Sequence, residues 1–382
     1  VEIVERKGLG HPDTICDLVM EQISQELSKA YLKTFGRILH HNCDKGLLVA
    51  GQAEHRLGGG RVIEPMRLII GDRATLVREF DVAEVAVETA KSWFRQNLPE
   101  VDPQRHLECQ VELKGGSEEL TGIFRDPGAV VGANDTSAAV GYAPLSETEQ
   151  IVLAAERFLN GAEFKKLYPA SGRDVKIMGV RSGFHLDLTV AMPLLDRYVE
   201  SEASYFKQKE EMRQALSVYL ASRLDALDEV NVSLNTLDRP GSGVAGMYLS
   251  VLGTSAEDAD SGQVGRGNQV NGVIALGRPR GSEAAAGKNS ISHVGKIYNV
   301  LSHLLAERIH REVPGLKDVI VWLSSRIGAP IDEPRVAAVQ VKLEAGVKMA
   351  DLTESIRQRV CGAFERMPQF CGELARGEYP IC

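Results

Sequence analysis

Segments of helical periodicity in this chain are each followed by several strand-like runs, and the order then repeats. After Pro12-Asp13, the residues Ile15, Leu18, Val19, Ile23, Leu27, Tyr31 and Leu32 recur at helical spacing, and Gly36 supplies a stop. Strand-like runs follow at Gly46–Gln52 and Arg61–Ile70, parted by a Gly58-Gly59-Gly60 loop. A second helix opens at Ser146 with the S-x-x-E capping box completed by Glu149 and stops at Asn160-Gly161. Strands are expected at Val175–Val180, His185–Met192, Val230–Leu234 and Met247–Leu252. A long helix from His293 to Glu312 comes next, then strands at Val319–Leu323 and Val336–Leu343 and a helix from Asp351 to about Arg366. One helix per several strands favours an α+β layered fold over a doubly wound sheet, in which strand and helix alternate singly.

At 382 residues the chain has room for two or three domains. Soft boundaries near 130 and 245 divide it into 1–130, 131–245 and 246–382. A net charge of −8 argues against general nucleic-acid binding, and no apolar run approaches the length of a membrane span. Val1 rather than Met opens the sequence and no signal-peptide pattern follows, so the native start is expected upstream and the location cytoplasmic. The six cysteines include no C-x-x-C pair and read as ordinary thiols.

Four clusters carry candidate chemistry. The first is Glu5, Arg6, Lys7, Gly8, Gly10, His11, Pro12, Asp13 and Asp17. Asp13 and Asp17 lie one turn apart on a helix and could hold Mg²⁺, while the helix start presents free N–H groups to an anion. The plain alternative is a cap and a solvated acid. The second, Gly132-Ala133-Asn134-Asp135-Thr136-Ser137, could admit a ligand to the backbone or be a simple turn. In the third, Asp174 and Lys176 share one face of a strand. The fourth spans Asp260 to Asn268, with Gly265 and Arg266, and continues through Arg278, Arg280, Lys288, His293 and Lys296. Glycines with cations suit a polyphosphate, although neither a Walker A loop nor a dinucleotide fingerprint is present.

Taken together and in order, "VERKGLGHPDTICD", "HHNCDKGLLVAGQ", "GGGRVIEP", "GANDTS", "GYAPLSETE", "RDVKIMG", "GTSAE", "VGRGNQVNG", "EAAAGKN" and "HVGKIYN" resemble the archaeal branch of the S-adenosylmethionine synthetase family. The resemblance implies three similar α+β domains about a pseudo-threefold axis, with the chain interleaved among them. It implies ATP and L-methionine as substrates, release and hydrolysis of triphosphate, Mg²⁺ as cofactor and K⁺ as an admitted second cation. It also implies a homodimer or dimer of dimers with sites between subunits.

Residue by residue, Glu5 and Asp13 match the metal-binding acids and His11 the histidine facing the triphosphate. Asp135, beside Asn134, matches the acid that holds the methionine ammonium. Asp174 and Lys176 match the nucleotide pair, Asp260, Gly265 and Arg266 the acid, glycine and arginine of the Gly-rich loop, and Lys288 the later lysine. His11, Arg266 and Lys288 are the expected catalytic groups. Departures from the bacterial pattern are Thr14 and Gly267 in place of lysines. Ser292 and Val294 replace a further lysine and an aspartate, whose roles would pass to His293 and Lys296. Within the archaeal branch, Ala259-Asp260-Ser261-Gly262, "ALGRPRGSE" and "SRIGAPI" depart as well. A divergent enzyme for a methionine analogue, or a nucleotide-binding regulatory subunit, are the alternative readings.

Overall fold

The computed structural model describes residues 1–122, 124 and 130–382. Three hydrophobic clusters organise it, each a sheet covered by helices. In the first, helices Pro12–Phe35 and Val82–Asn97 cover a sheet ordered Gly262–Gln263, His41–Val49, Met66–Ala74, Leu107–Lys114. In the second, Glu147–Leu159 and Glu202–Ala221 cover Glu229–Leu234, His185–Ala191, Lys176–Ser182, Glu2–Lys7 and Ile274–Ala275. In the third, Val294–Glu312, Met349–Glu365 and Met367–Ala375 cover Val336–Leu343, Leu316–Ser324 and Ala138–Ala143.

Strands are exchanged between these layers. Glu2–Lys7 pairs antiparallel with Lys176–Ser182, with Val4 opposite Gly179, yet the helix that follows it belongs to the first cluster. Ala138–Ala143 pairs with Leu316–Ser324, with Gly141 opposite Val321, yet the next helix packs on the second sheet. Chain segments distant in sequence therefore meet where the layers join, and the candidate site lies at such a junction.

The helix ends follow local chemistry. Gly36 adopts φ 69° and donates its N–H to the Leu32 carbonyl at 2.9 Å, a left-handed stop that glycine permits without strain. Ser146 and Glu149 form the full reciprocal box, and Asn160 caps the other end. The expected run Arg61–Ile70 is instead two strands, Arg61–Glu64 and Met66–Ala74, because Pro65 lacks the N–H that a continuous ladder needs. The run expected at Met247–Leu252 is ordered as a strand only over Leu249–Ser250. Helices Val82–Asn97, Glu202–Ala221 and Met367–Ala375 were not expected.

Candidate active site

The first helix begins against the Gly-rich loop. His11 caps it, and its Nδ1 accepts from the Asp13 N–H at 3.2 Å. That bond leaves the ring proton on Nε2. Burial pushes His11 down to about 4, only partly opposed by Asp13, so the ring is neutral near pH 7 and Nε2 is a donor. A neutral donor at a helix N-terminus suits an anion.

Beside it runs an alternating chain of charge. Lys7 Nζ lies 2.8 Å from Asp13 Oδ2 and 3.9 Å from Glu5 Oε1, and Lys176 Nζ lies 3.4 Å from the same Glu5 oxygen. Lys7 Nζ also donates to the Arg266 carbonyl at 2.6 Å. Asp174 is buried and accepts from the N–H and hydroxyl of Ser255. Burial still raises its carboxyl to about 6. His11, Asp174, Lys176 and Asp260 together line a cleft of about 470 Å³.

The loop from 260 to 268 is shaped by the two helix acids. Asp13 Oδ1 accepts from Gln263 N–H at 2.9 Å and Asp17 Oδ1 from Gly265 N–H at 2.8 Å. A side chain at position 267 would bring its Cβ within 2.1 Å of Asp17 Oδ2. The glycine at 267, where the bacterial pattern has lysine, is thus the counterpart of the inward-facing Asp17. Burial raises Asp17 to about 7 against the bonds from Gly265 and Gly267. In this structure Asp17 anchors the loop through Gly265. Arg266 projects from this loop, exposed, with no side-chain partner among the described residues.

The acids fit a hard divalent cation unevenly. Glu5 Oε1 is buried without a hydrogen bond, and the Asp260 carboxylate is exposed and unengaged. Both offer oxygen to a cation such as Mg²⁺. Asp13 has one oxygen on Lys7 and the other on Gln263, so it could ligate only if Lys7 moved.

A second cleft, about 570 Å³, is lined by Lys288 and Gly265 with Asp44 and Glu283. Lys288 is buried, with Nζ 2.6 Å from Asp44 and 3.2 Å from Glu283. Burial would push Asp44 up, but Lys288 overrides it and holds the carboxyl well below its usual range. His293 caps Val294–Glu312, its Nδ1 accepting from Gly295 N–H at 3.2 Å, and burial lowers it to about 3. Asn134 Oδ1 accepts from Val294 N–H at the same helix start. Lys296 lies in neither cleft: it is fully buried, 2.7 Å from Glu21. Asp135 stands exposed on its turn, its carboxylate accepting only from Thr136 N–H at 2.7 Å.

His11, Asp174, Lys176 and Asp260 are thus brought together, with Glu5 and Asp13 linked to them through lysines. Lys288 and Gly265 share a different cleft. Asp44, Glu21 and Ser255 had been given no role. "HHNCDKG" and "GTSAE" contain Asp44 and Ser255, but their partners are more than 80 positions away.

These features gather charged side chains and a helix N-terminus around one cleft of an interleaved α+β scaffold. The family profile described as S-adenosylmethionine synthetase (AdoMet synthetase) matches residues 1–378, and the chain belongs to that family. It is 46% identical to the S-adenosylmethionine synthase of Aeropyrum pernix over 389 aligned positions, covering all of this chain and 95% of that one. It is 42% identical to the probable S-adenosylmethionine synthase of Aquifex aeolicus, again covering all of this chain and 95% of the relative. An S-adenosylmethionine synthetase from Campylobacter jejuni, described as unusual, superposes with TM-score 0.63 over 98% of this chain and 92% of that one, at 16% identity. That likeness speaks for the fold alone.

Proposed function

We propose that this protein joins ATP and L-methionine into S-adenosylmethionine and then cuts the triphosphate to pyrophosphate and phosphate. The observation that carries the reading, beyond family membership, is the meeting of His11, Asp174, Lys176 and Asp260 in one cleft at a helix N-terminus. The methionine sulfur attacks the ribose C5′ and the C5′–O bond breaks, with both electrons leaving on the triphosphate. Thioether sulfur has no proton to lose, so no general base is required for this step. The need is charge for the leaving polyanion. His11 Nε2–H, the free N–H groups behind it and Lys176 face that anion and exposed Arg266 adds charge to the tail, which Lys288 can join only by leaving Asp44 and Glu283. Glu5, Asp13 and Asp260 are the acids that would hold Mg²⁺, whose charge would neutralise part of the polyphosphate when bound. A cytoplasmic location goes with this reading; the six cysteines are all free thiols.

The working unit is a homodimer or a dimer of dimers with each site shared. Support comes from the division of the predicted residues between two clefts and from exposed Asp135 and Arg266, which lack a partner for their charge. Incubation of pure protein with ATP, Mg²⁺ and methionine, with assay of sulfonium product, pyrophosphate and phosphate, tests the activity; no sulfonium product defeats it. Sharing is tested by mixing Asp174→Asn with Asp135→Asn after dissociation and reassociation. Activity should reappear in the mixture, and its failure to do so would place both residues in one protomer's site.

A further inference from the structure

Three helices, each capped at its start by His11, Ser146 or His293, carry a buried residue ten positions past the cap. In the first it is Glu21, paired with Lys296 at 2.7 Å. In the second it is Glu156, paired with Arg6 at 2.8 Å. In the third it is His303, only 7% exposed, and neither ring nitrogen has a hydrogen-bond partner. Asn271 Nδ2 is likewise buried without a hydrogen bond of full geometry, although its side chain interacts with the Tyr142 hydroxyl, which leaves at most one of its two N–H groups for a ligand. Both residues line a cavity of about 500 Å³ between the second and third layers, apart from the two clefts described above.

Buried donors and acceptors are nearly always satisfied in folded proteins. Burial lowers His303 to about 4, so its ring is neutral and offers one N–H donor and one bare nitrogen. Asn271 adds an amide donor. The walls beyond this polar corner are apolar, with Leu145, Leu153, Val270 and Val300, and the edge of Tyr142 meets His303 at 5.5 Å between centroids. At the rim stand two exposed arginines. Arg157 has no side-chain partner among the described residues, whereas Arg311 is 3.5 Å from Glu312 and 3.9 Å from Glu307, which offset its charge.

We propose that this cavity binds a purine nucleoside monophosphate, with the base edge on Asn271 and His303 and the phosphate on Arg157. An adenine edge sets an amino donor beside a ring-nitrogen acceptor. The bare nitrogen of His303 complements the first and the Asn271 amide the second, in the way amides read adenine elsewhere. An apolar slot with a few convergent polar groups is the usual form of a small-molecule site. The anionic end then lies where an unpaired guanidinium can take it by charge-assisted bonds.

AMP is the probe, titrated by calorimetry into the whole protein without methionine. Because AMP can also enter the cleft at Asp174, the variant Asp174→Asn separates the two sites. His303→Phe keeps a ring of similar size, and Arg157→Ala alters only an exposed side chain; thermal melts verify that both fold. Asp174→Asn should keep an AMP-binding event that wild type also shows, while His303→Phe and Arg157→Ala, each placed in the Asp174→Asn background, should weaken that event roughly tenfold or more. Adenosine should bind wild type more weakly than AMP does, and no better than that in Arg157→Ala. Loss of AMP binding in Asp174→Asn alone would overturn the proposal. So would the absence of AMP binding to wild type at roughly millimolar concentration, which would leave water as the occupant.

Discussion

At Pro12–Phe35 and again at Val294–Glu312 the chain starts a helix from a buried histidine whose Nδ1 accepts from the N–H two residues on, at 3.2 Å in both. Burial leaves both rings neutral near pH 7, so both carry the proton on Nε2. Beyond the cap the two starts differ. The residue two positions on is Asp13 in one and Gly295 in the other; six positions on it is Asp17 or Asn299. The first start gathers acids that anchor the loop at 263–265, and its histidine lines an open cleft. Around the second, Lys288 and Lys296 are each pinned by acids from the first layer, Asp44 and Glu21. The capping geometry is shared. What distinguishes the two ends is which charges are left free to meet a ligand.

The largest expected effect tests that distinction. His11→Ala removes a neutral donor from the cleft and should lower kcat/KM for ATP by about 10²–10³, the usual loss for one preorganised donor to developing charge. His293 is 8% exposed and does not line the second cleft, so His293→Ala should cost about 1 kcal/mol of stability through the weakened cap and leave kcat/KM for ATP close to wild type. Steady-state kinetics on both variants decide it, and equal losses would erase the asymmetry. Next comes Asp135→Asn, on the exposed turn beside the second start. It should weaken methionine use by about 2–4 kcal/mol of transition-state binding with a much smaller change for ATP, as expected when one partner of a desolvated charge pair is lost. Equal loss for both substrates would move Asp135 out of the methionine pocket.

The two helices in this comparison were readable beforehand and their histidine caps were not, for identifiable reasons. Helix starts were legible because caps are local: Ser146 and Glu149 sit three apart, and Gly36 ends its helix by its own conformation. Glu202–Ala221 was missed because only Tyr205, Met212, Leu216 and Leu220 are buried in a helix otherwise rich in charge. In Val82–Asn97 the buried face is diluted by Ala86, Thr89 and Ala90, which carry little hydrophobic signal. Of the site, the chemical types were legible and the pairings were not. Asp17 was visible one turn after Asp13, but its role depends on Gly265, 248 positions away. Lys296 looked like a free cation, and only Glu21, 275 positions distant, reveals it as a buried pair.

A smaller effect separates Asp17 from its counterpart Asn299. Burial raises the Asp17 carboxyl to about 7, so the folded protein holds that proton more tightly than the unfolded chain does. The stability linked to this proton is complete below about pH 4 and is lost as pH rises toward 7. Asp17→Asn makes the first helix resemble the second and keeps an oxygen for Gly265 N–H. Its melting temperature should therefore fall less steeply than that of wild type between pH 5 and 8. Parallel curves would show that Asp17 is ionised throughout and that its burial is relieved in solution.

The smallest expected change comes from the helix start that has no histidine. Ser146 opens Glu147–Leu159 with a complete box, its hydroxyl accepting from Glu149 N–H at 3.1 Å and its own N–H donating to Glu149 at 2.6 Å. Among the described residues, Ser146 lines neither cleft that holds predicted site residues. Ser146→Ala should therefore cost about 1 kcal/mol of stability, the ordinary value of a cap, measured as a shift in denaturant midpoint at constant slope. Turnover below the transition should match wild type. Ser146 also donates to Glu2, the first residue of the strand that leads to Glu5, Lys7 and His11. If the variant slowed catalysis by more than its stability loss explains, that strand would be transmitting the cap to the first cleft. The contrast between a purely structural helix start and the chemical one at His11 would then fail. A loss confined to stability would leave the cap at His11 as the chemical one.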